Sequence, residues 1–214
     1  METHAYAENR LAGAMTALGD AFDYAANDCA VEPDAFFDLF RSSSLCAEFE
    51  RGAPRVVSGM SGVELVRAVM RETYGREPDS PSRPAFARSP EFWCGHVLAY
   101  AQWRSGRRFS ELRRAMSCEE ILALYPTLHE AGPDTFADRM DERLARVFPG
   151  TRLSRLREAA GLTQRALAVR AGVGLRSLQM YEQRRKDVNR AEARTIRALA
   201  SALGCRMEDI LEPG

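Results

Sequence analysis

The chain lacks any long apolar run: nothing in its 214 residues approaches the roughly 18–20 consecutive apolar positions that cross a bilayer. No membrane association is expected. Met1 to Arg10 is polar and carries no apolar core with a cleavage site, so a secretory leader is not expected either and a cytoplasmic protein is. Cysteine is sparse. Cys29, Cys46, Cys94, Cys118 and Cys205 are odd in number and widely scattered, and no CxxC occurs. That excludes a disulfide framework and a zinc knuckle, and fits reduced thiols. No GxxxxGKS/T, GxGxxG or GxSxG is present, so the usual cradles for nucleotide and acyl-transfer chemistry are missing. Strand-like alternation and internal repeats are missing too. Segments with helical spacing, separated by Gly, Pro and Ser, take their place, and the expected fold is all-α.

An excess of one charge is also missing, but the zero net charge hides an asymmetry. Residues 151–214 hold 13 basic and 7 acidic side chains, a balance of +6. The remaining 17 basic and 23 acidic residues leave the first 150 at −6. Of 18 aromatic residues, only Tyr181 lies beyond position 150. Two domains with different cores are therefore expected, 1–150 and 151–214, divided at Pro149-Gly150. Only the second has the charge to meet a polyanion.

In the first domain, a helix is expected over Ala5 to Cys29, with Leu11, Met15, Leu18, Phe22, Ala25 and Cys29 along one stripe. Burial within its own bundle is favoured over a dimer seam. A second helix should begin at Pro33 and bury Phe36, Phe37 and Phe40. A short segment from Leu45 to Phe49 ends at Gly52, and another helix runs from Ser61 to Gly75. Residues 76–90 contain four prolines without a period and read as a loop. Pro90 to Arg104 should be helical, with Trp93, His96, Val97, Tyr100 and Trp103 on one face. Shorter helices follow at Ser110 to Met116 and Cys118 to Leu124. Breaks at Pro126 and Gly132-Pro133 then lead into Asp134 to Phe148.

The C-terminal third reads LSRLREAAGLTQRALAVRAGVGLRSLQMYEQ over residues 153–183. Thr163 can cap a first helix that turns Leu167 and Ala168 inward, beside Ala171. Gly172 sits where the chain must turn sharply. A second helix begins near Gly174 and buries Leu178 and Tyr181, while Leu153, Leu156, Ala160 and Leu162 form the opposite wall. A last helix holds Ile196, Leu199, Ala200 and Leu203, stops at Gly204, and is followed by a turn over Met207–Leu211.

In order and spacing, LREAAGLTQRALA, AGVGLRSLQMYEQ and IRALASALGCRMEDIL resemble the Cro/CI type of helix-turn-helix, the XRE family, over roughly 151–212. That resemblance implies a five-helix domain whose second motif helix enters the major groove, where base edges are distinguishable. It implies a sequence-specific regulator, a repressor, bound as a homodimer to double-stranded operator DNA. Gln164 matches a phosphate-contacting position. Gly174, Leu175, Arg176, Gln179 and Met180 match the groove-facing surface, with Arg176 suited to bidentate contact with guanine, Leu175 to a thymine methyl, and Gln179 to an adenine or a phosphate. Gln183, Arg184, Arg185 and Lys186 fall where phosphate is gripped. Arg157 and Glu182 match a stabilising ion pair. Relatives often carry Ser or Thr at the place of Gly174 and Asn-Gly at Gln183-Arg184.

The whole chain also resembles two-domain, antitoxin-like XRE regulators, through FFDLF (36–40), SGMSGVEL (58–65), SPEFWCGHVLAYAQWRSGRRFSEL (89–112) and YPTLHE (125–130). This implies that the acidic domain dimerises, senses a ligand, or holds a small toxin-like protein. The alternative is an effector or enzyme domain fused to its own DNA-binding autoregulator. Against it, Cys94 and His96 are two apart on a helix and point about 200° apart. His129 lies in no HExxH or HxxE spacing. No catalytic residue, metal site or cofactor is expected, and the protein is not expected to be an enzyme. Trp93, His96, Tyr100 and Trp103 are the candidates for a ligand pocket, with plain core the commoner fate of such a stripe.

Overall fold

The computed structural model describes residues 4–82 and 88–212. The middle of the proline-rich 76–90 segment, the first three positions and the last two lie outside the described residues. Among those described there is no strand, and no helix is long and apolar enough to cross a membrane. Two compact units divide between Val147 and Phe148.

The first unit, His4–Val147, opens with a 3-10 turn, Glu8–Arg10, leading into α1 (Leu11–Asp23). Then come α2 (Pro33–Ser42), α3 (Ser44–Glu50), α4 (Pro54–Val57) and α5 (Gly62–Tyr74). After the proline-rich segment follow α6 (Pro90–Ser105), α7 (Phe109–Ala115), α8 (Cys118–Leu128) and α9 (Pro133–Val147). Several starts are written locally. Ser61 accepts from the Glu64 amide, and Glu64 accepts from the Ser61 amide in return. Ser117 and Glu120 repeat this reciprocal cap on α8. Pro33, Pro54 and Pro90 sit in first turns, where their missing N–H is not needed.

Phe22, Phe36, Phe37, Phe40, Phe49 and Phe109 close the core of this unit, all essentially without solvent exposure. Their ring centroids lie 5.2–5.8 Å apart, mostly edge to face. Each such burial contributes about 1.5–3 kcal/mol, and each well-set ring pair about 0.5–1.5 kcal/mol more.

Several expectations for this unit need correction. The first helix begins at residue 8, not Ala5, because the Ala5 amide donates to the Trp103 carbonyl and the Tyr6 carbonyl accepts from the Trp103 indole. Its far end widens into a π turn, Tyr24–Asp28, where the Cys29 amide reaches back five residues to Tyr24. Tyr24 is thereby buried, while Leu11 and Cys29 are only half-buried. Pro126 does not break α8. The donor it lacks falls in the last turn, and beyond it the His129 amide and ring nitrogen both reach the Tyr125 carbonyl. Helix α4 has four residues, too few to show a period. Finally, α6 has no single buried face. Phe92, Cys94, Val97, Leu98, Ala101 and Gln102 are buried around its whole circumference. A Cβ on Gly95 would stand 2.4 Å from the Leu18 carbonyl oxygen, so glycine is what lets α1 and α6 approach.

The second unit contains α10 (Arg152–Ala159), α11 (Gln164–Ala171), α12 (Leu175–Glu182), a 3-10 turn at Val188–Arg190, α13 (Ala193–Leu203) and α14 (Met207–Ile210). Leu153, Leu167, Leu178, Leu199 and Ile210 are fully buried, with Tyr181 as the sole aromatic of this core cluster. Ala160 is not part of the wall. It caps α10, its amide bonded to Leu156, and its methyl is exposed. Val188, from the turn after α12, fills the core instead.

Candidate nucleic-acid interface

Helices α11 and α12 are set by their ends. Thr163 Oγ1 accepts from the Ala166 amide at 3.1 Å, fixing the start of α11. Gly172 closes it at φ +64°, a left-handed conformation that costs a side-chain-bearing residue strain. The Val173 amide returns to the Ala168 carbonyl, and Gly174 opens α12. The three-residue turn leaves Leu167, Ala168, Leu178 and Tyr181 facing inward. On the outer surface of α12, Arg176 is exposed, and Gln179 and Met180 are half-exposed, whereas Leu175 is half-buried and packs against the core cluster.

Behind that surface lies a polar interior. The Arg157 guanidinium donates to both oxygens of Glu182, from Nε at 2.7 Å and from Nη2 at 2.9 Å. Arg157 Nη1 donates to the Leu162 carbonyl. The two side chains are only 11% and 5% exposed, which makes this a buried, bidentate pair. The hydrogen bond that Arg157 donates to Glu182 also holds the Arg157 pKa above its ordinary value. Gln164 Nε2 donates to the same carboxylate at 2.8 Å, and Gln179 Nε2 donates to Gln164 Oε1 at 3.4 Å.

Residues 150–211 match the helix-turn-helix domain family. The second unit is thus a helix-turn-helix domain, with α11 and α12 as the two helices of the motif. Comparison with curated proteins and with solved structures finds no match.

The residues singled out from sequence fall into three groups. Gly174, Arg176, Gln179 and Met180 lie together at the start and outer face of α12, while Leu175, expected on that face, turns its apolar side chain to the core cluster. Gln183, Arg184, Arg185 and Lys186 are exposed where the chain leaves that helix. The amides of Arg185 and Lys186 both return to the Met180 carbonyl, and the Lys186 ammonium lies 5.2 Å from the Tyr181 ring centroid. Arg184 takes φ +57°, a left-handed conformation that glycine adopts without strain. Gln164, Arg157 and Glu182 make up the interior network. Gln164 is joined there to Glu182 and Gln179, bonds that its sequence position alone does not reveal.

A further group escaped the sequence reading. Asn189 pairs with the backbone of Glu212 through two 2.8 Å hydrogen bonds. The Glu212 carboxylate accepts from the Arg152 amide at the start of α10 and lies 3.9 Å from Arg184. This clasp ties the end of the domain to the exit from α12. It joins positions 23 and 60 residues apart, so no local spacing announces it. Arg190 and Arg194 also flank a groove of about 690 Å³ beside the motif turn.

The four candidates for a ligand pocket are placed against neighbouring elements of the first unit. Trp93 packs on Tyr125 and Phe136, and Trp103 stacks on His4. Tyr100 hydrogen-bonds Asp134. His96 lies 5.4 Å from the Phe92 ring. Burial lowers the His96 pKa, a hydrogen bond from the imidazole to the Met15 backbone opposes this, and the charge of Arg88 lowers it further. The Cys94 thiol faces Cys118, not His96. That contact, together with burial, pushes the Cys118 thiol pKa up. Among the described residues, no group of three or more His, Cys, Asp or Glu is placed to hold a metal ion.

Proposed function

We propose that this protein is a sequence-specific DNA-binding regulator, acting as a repressor and not as an enzyme, whose helix α12 reads the major groove. One observation carries the reading. The segment that matches the helix-turn-helix family is also the cationic part of the chain, and the exposed side of its second motif helix and exit carries Arg176, Arg184, Arg185 and Lys186. Arg176, on the helix, has the fork geometry for guanine O6 and N7. Arg184, Arg185 and Lys186, on the exit, are placed to meet phosphates. The acidic first unit serves association: with a second copy, as half-sites about one helical turn apart would require, or with a small basic, toxin-like partner, which opposite charge would help to steer.

The full chain should enrich a defined duplex from a random-sequence DNA library. Its affinity for that duplex should fall steeply with salt, as counterion release demands. Enrichment of no sequence over bulk DNA would sink the reading, as would an affinity indifferent to salt.

A further inference from the structure

We propose that Glu182 and Gln164, without touching a base, fix which way round the Gln179 amide is presented, and so make Gln179 a reader of adenine. The inference rests on the reading of α12 as the groove helix.

The argument follows the direction of each hydrogen bond. An ionised carboxylate only accepts. Glu182 is 5% exposed and is held in place by two bonds from Arg157, so it offers Gln164 an acceptor and nothing else. Gln164 must turn its NH2 toward it, as the 2.8 Å contact from Nε2 shows. Its carbonyl oxygen then faces the other way, where only a donor can meet it. Gln179 supplies that donor from Nε2 at 3.4 Å, the longest link of the three. With one N–H committed inward, Gln179 keeps its Oε1 and a second N–H for the groove.

That acceptor–donor fork matches adenine, which presents the N6 amine as donor beside N7 as acceptor. Guanine presents O6 where adenine presents its amine, so in this orientation oxygen meets oxygen. Rotating the Gln179 amide would relieve the clash, but it would set its oxygen against Gln164 Oε1, and turning Gln164 to match would set that oxygen against the Glu182 carboxylate. The buried ion pair therefore reaches the groove through two amides and selects between the purines.

The test is a preference ratio, because a lost phosphate contact or a loosened fold weakens all duplexes alike and leaves ratios unmoved. The preferred duplex would first be selected with the full chain from a random-sequence library. Each adenine would then be replaced singly by 7-deazaadenine, which lacks the N7 acceptor, or by guanine. For the unaltered chain, one adenine should be sensitive to both changes, by about tenfold or more. Gln179→Ala should abolish that sensitivity. Gln164→Met, which keeps the side-chain length and removes both hydrogen bonds, should bring adenine and guanine at that position to within about twofold, while other positions keep their preferences. Glu182→Gln should do the same, because a glutamine at 182 no longer dictates direction. Thermal unfolding would accompany it, and Gln164→Met decides alone if that variant does not fold. An undiminished adenine preference in Gln164→Met would overturn the relay while leaving DNA recognition intact. No sensitive adenine in the unaltered chain would overturn the role of Gln179. If no duplex is selected at all, the reading of α12 itself fails.

Discussion

The two units hold themselves together differently. The His4–Val147 unit closes its core with six interlocked phenylalanine rings, whose contribution is broad and non-directional. The unit from Phe148 onward has one aromatic in its core cluster and threads a directional polar chain, Arg157–Glu182–Gln164–Gln179, from its interior to its surface. A hydrophobic core sets a shape but leaves surface amides free to turn. A satisfied buried network also fixes donor and acceptor directions. The unit that must discriminate ligands is the one whose polar groups are fixed from within.

The sharpest way to break this comparison is to remove one partner of the ion pair. Glu182→Ala removes the bidentate partner of a buried guanidinium, leaving it the exposed Glu158 carboxylate and the Leu162 carbonyl, and should cost the second unit about 3 kcal/mol. Calorimetry should show that loss in one transition while the first unit unfolds as before. A shift of both transitions together would show that the units are not independent. Next in size, Arg176→Ala should lose about 1–3 kcal/mol of affinity for the selected duplex and relax preference at one base position. Unchanged affinity in competition binding would remove Arg176 from the interface.

Arg184→Gly sets stability against binding at a single residue. Glycine takes φ +57° without the strain an arginine carries there, so the second unit should gain up to about 1 kcal/mol. It should also lose about one unit of salt slope in DNA binding, as expected for one phosphate contact fewer. Denaturant unfolding and a salt titration read the two halves separately.

The smallest effect belongs to the first unit. The folded-state pKa of His96 is lowered, chiefly by burial, so the unfolded chain takes up the proton more readily. The stability this contributes is present above the ordinary imidazole range and is lost as pH falls through it toward the depressed folded value. In His96→Gln this part of the acid-side slope of unfolding should disappear, with the second unit unaffected.

What could be read in advance follows the range of each interaction. Thr163, Gly172 and Gly174 act within a turn of themselves, and the ends they set for α11 and α12 are where the sequence places them. The phenylalanines of α2 recur at helical spacing and are buried accordingly. Ala5 and Tyr6 look helical by the same rules, yet Trp103, about a hundred residues away, takes their backbone groups. The Asn189–Glu212 clasp has the same origin in partners remote in sequence. Within the interface, residue types and positions were legible. Hydrogen-bond direction was not, because the pairing of Gln164 with Glu182 exists only once α11 and α12 are packed.

Hydrogen exchange of the full chain, with and without its selected duplex, tests the division of labour most directly. Protection should be confined to the second unit and concentrated on 164–190, the two motif helices and the exit from α12, leaving the phenylalanine core of the first unit unchanged. Protection centred on the first unit, with α12 indifferent to DNA, would contradict it.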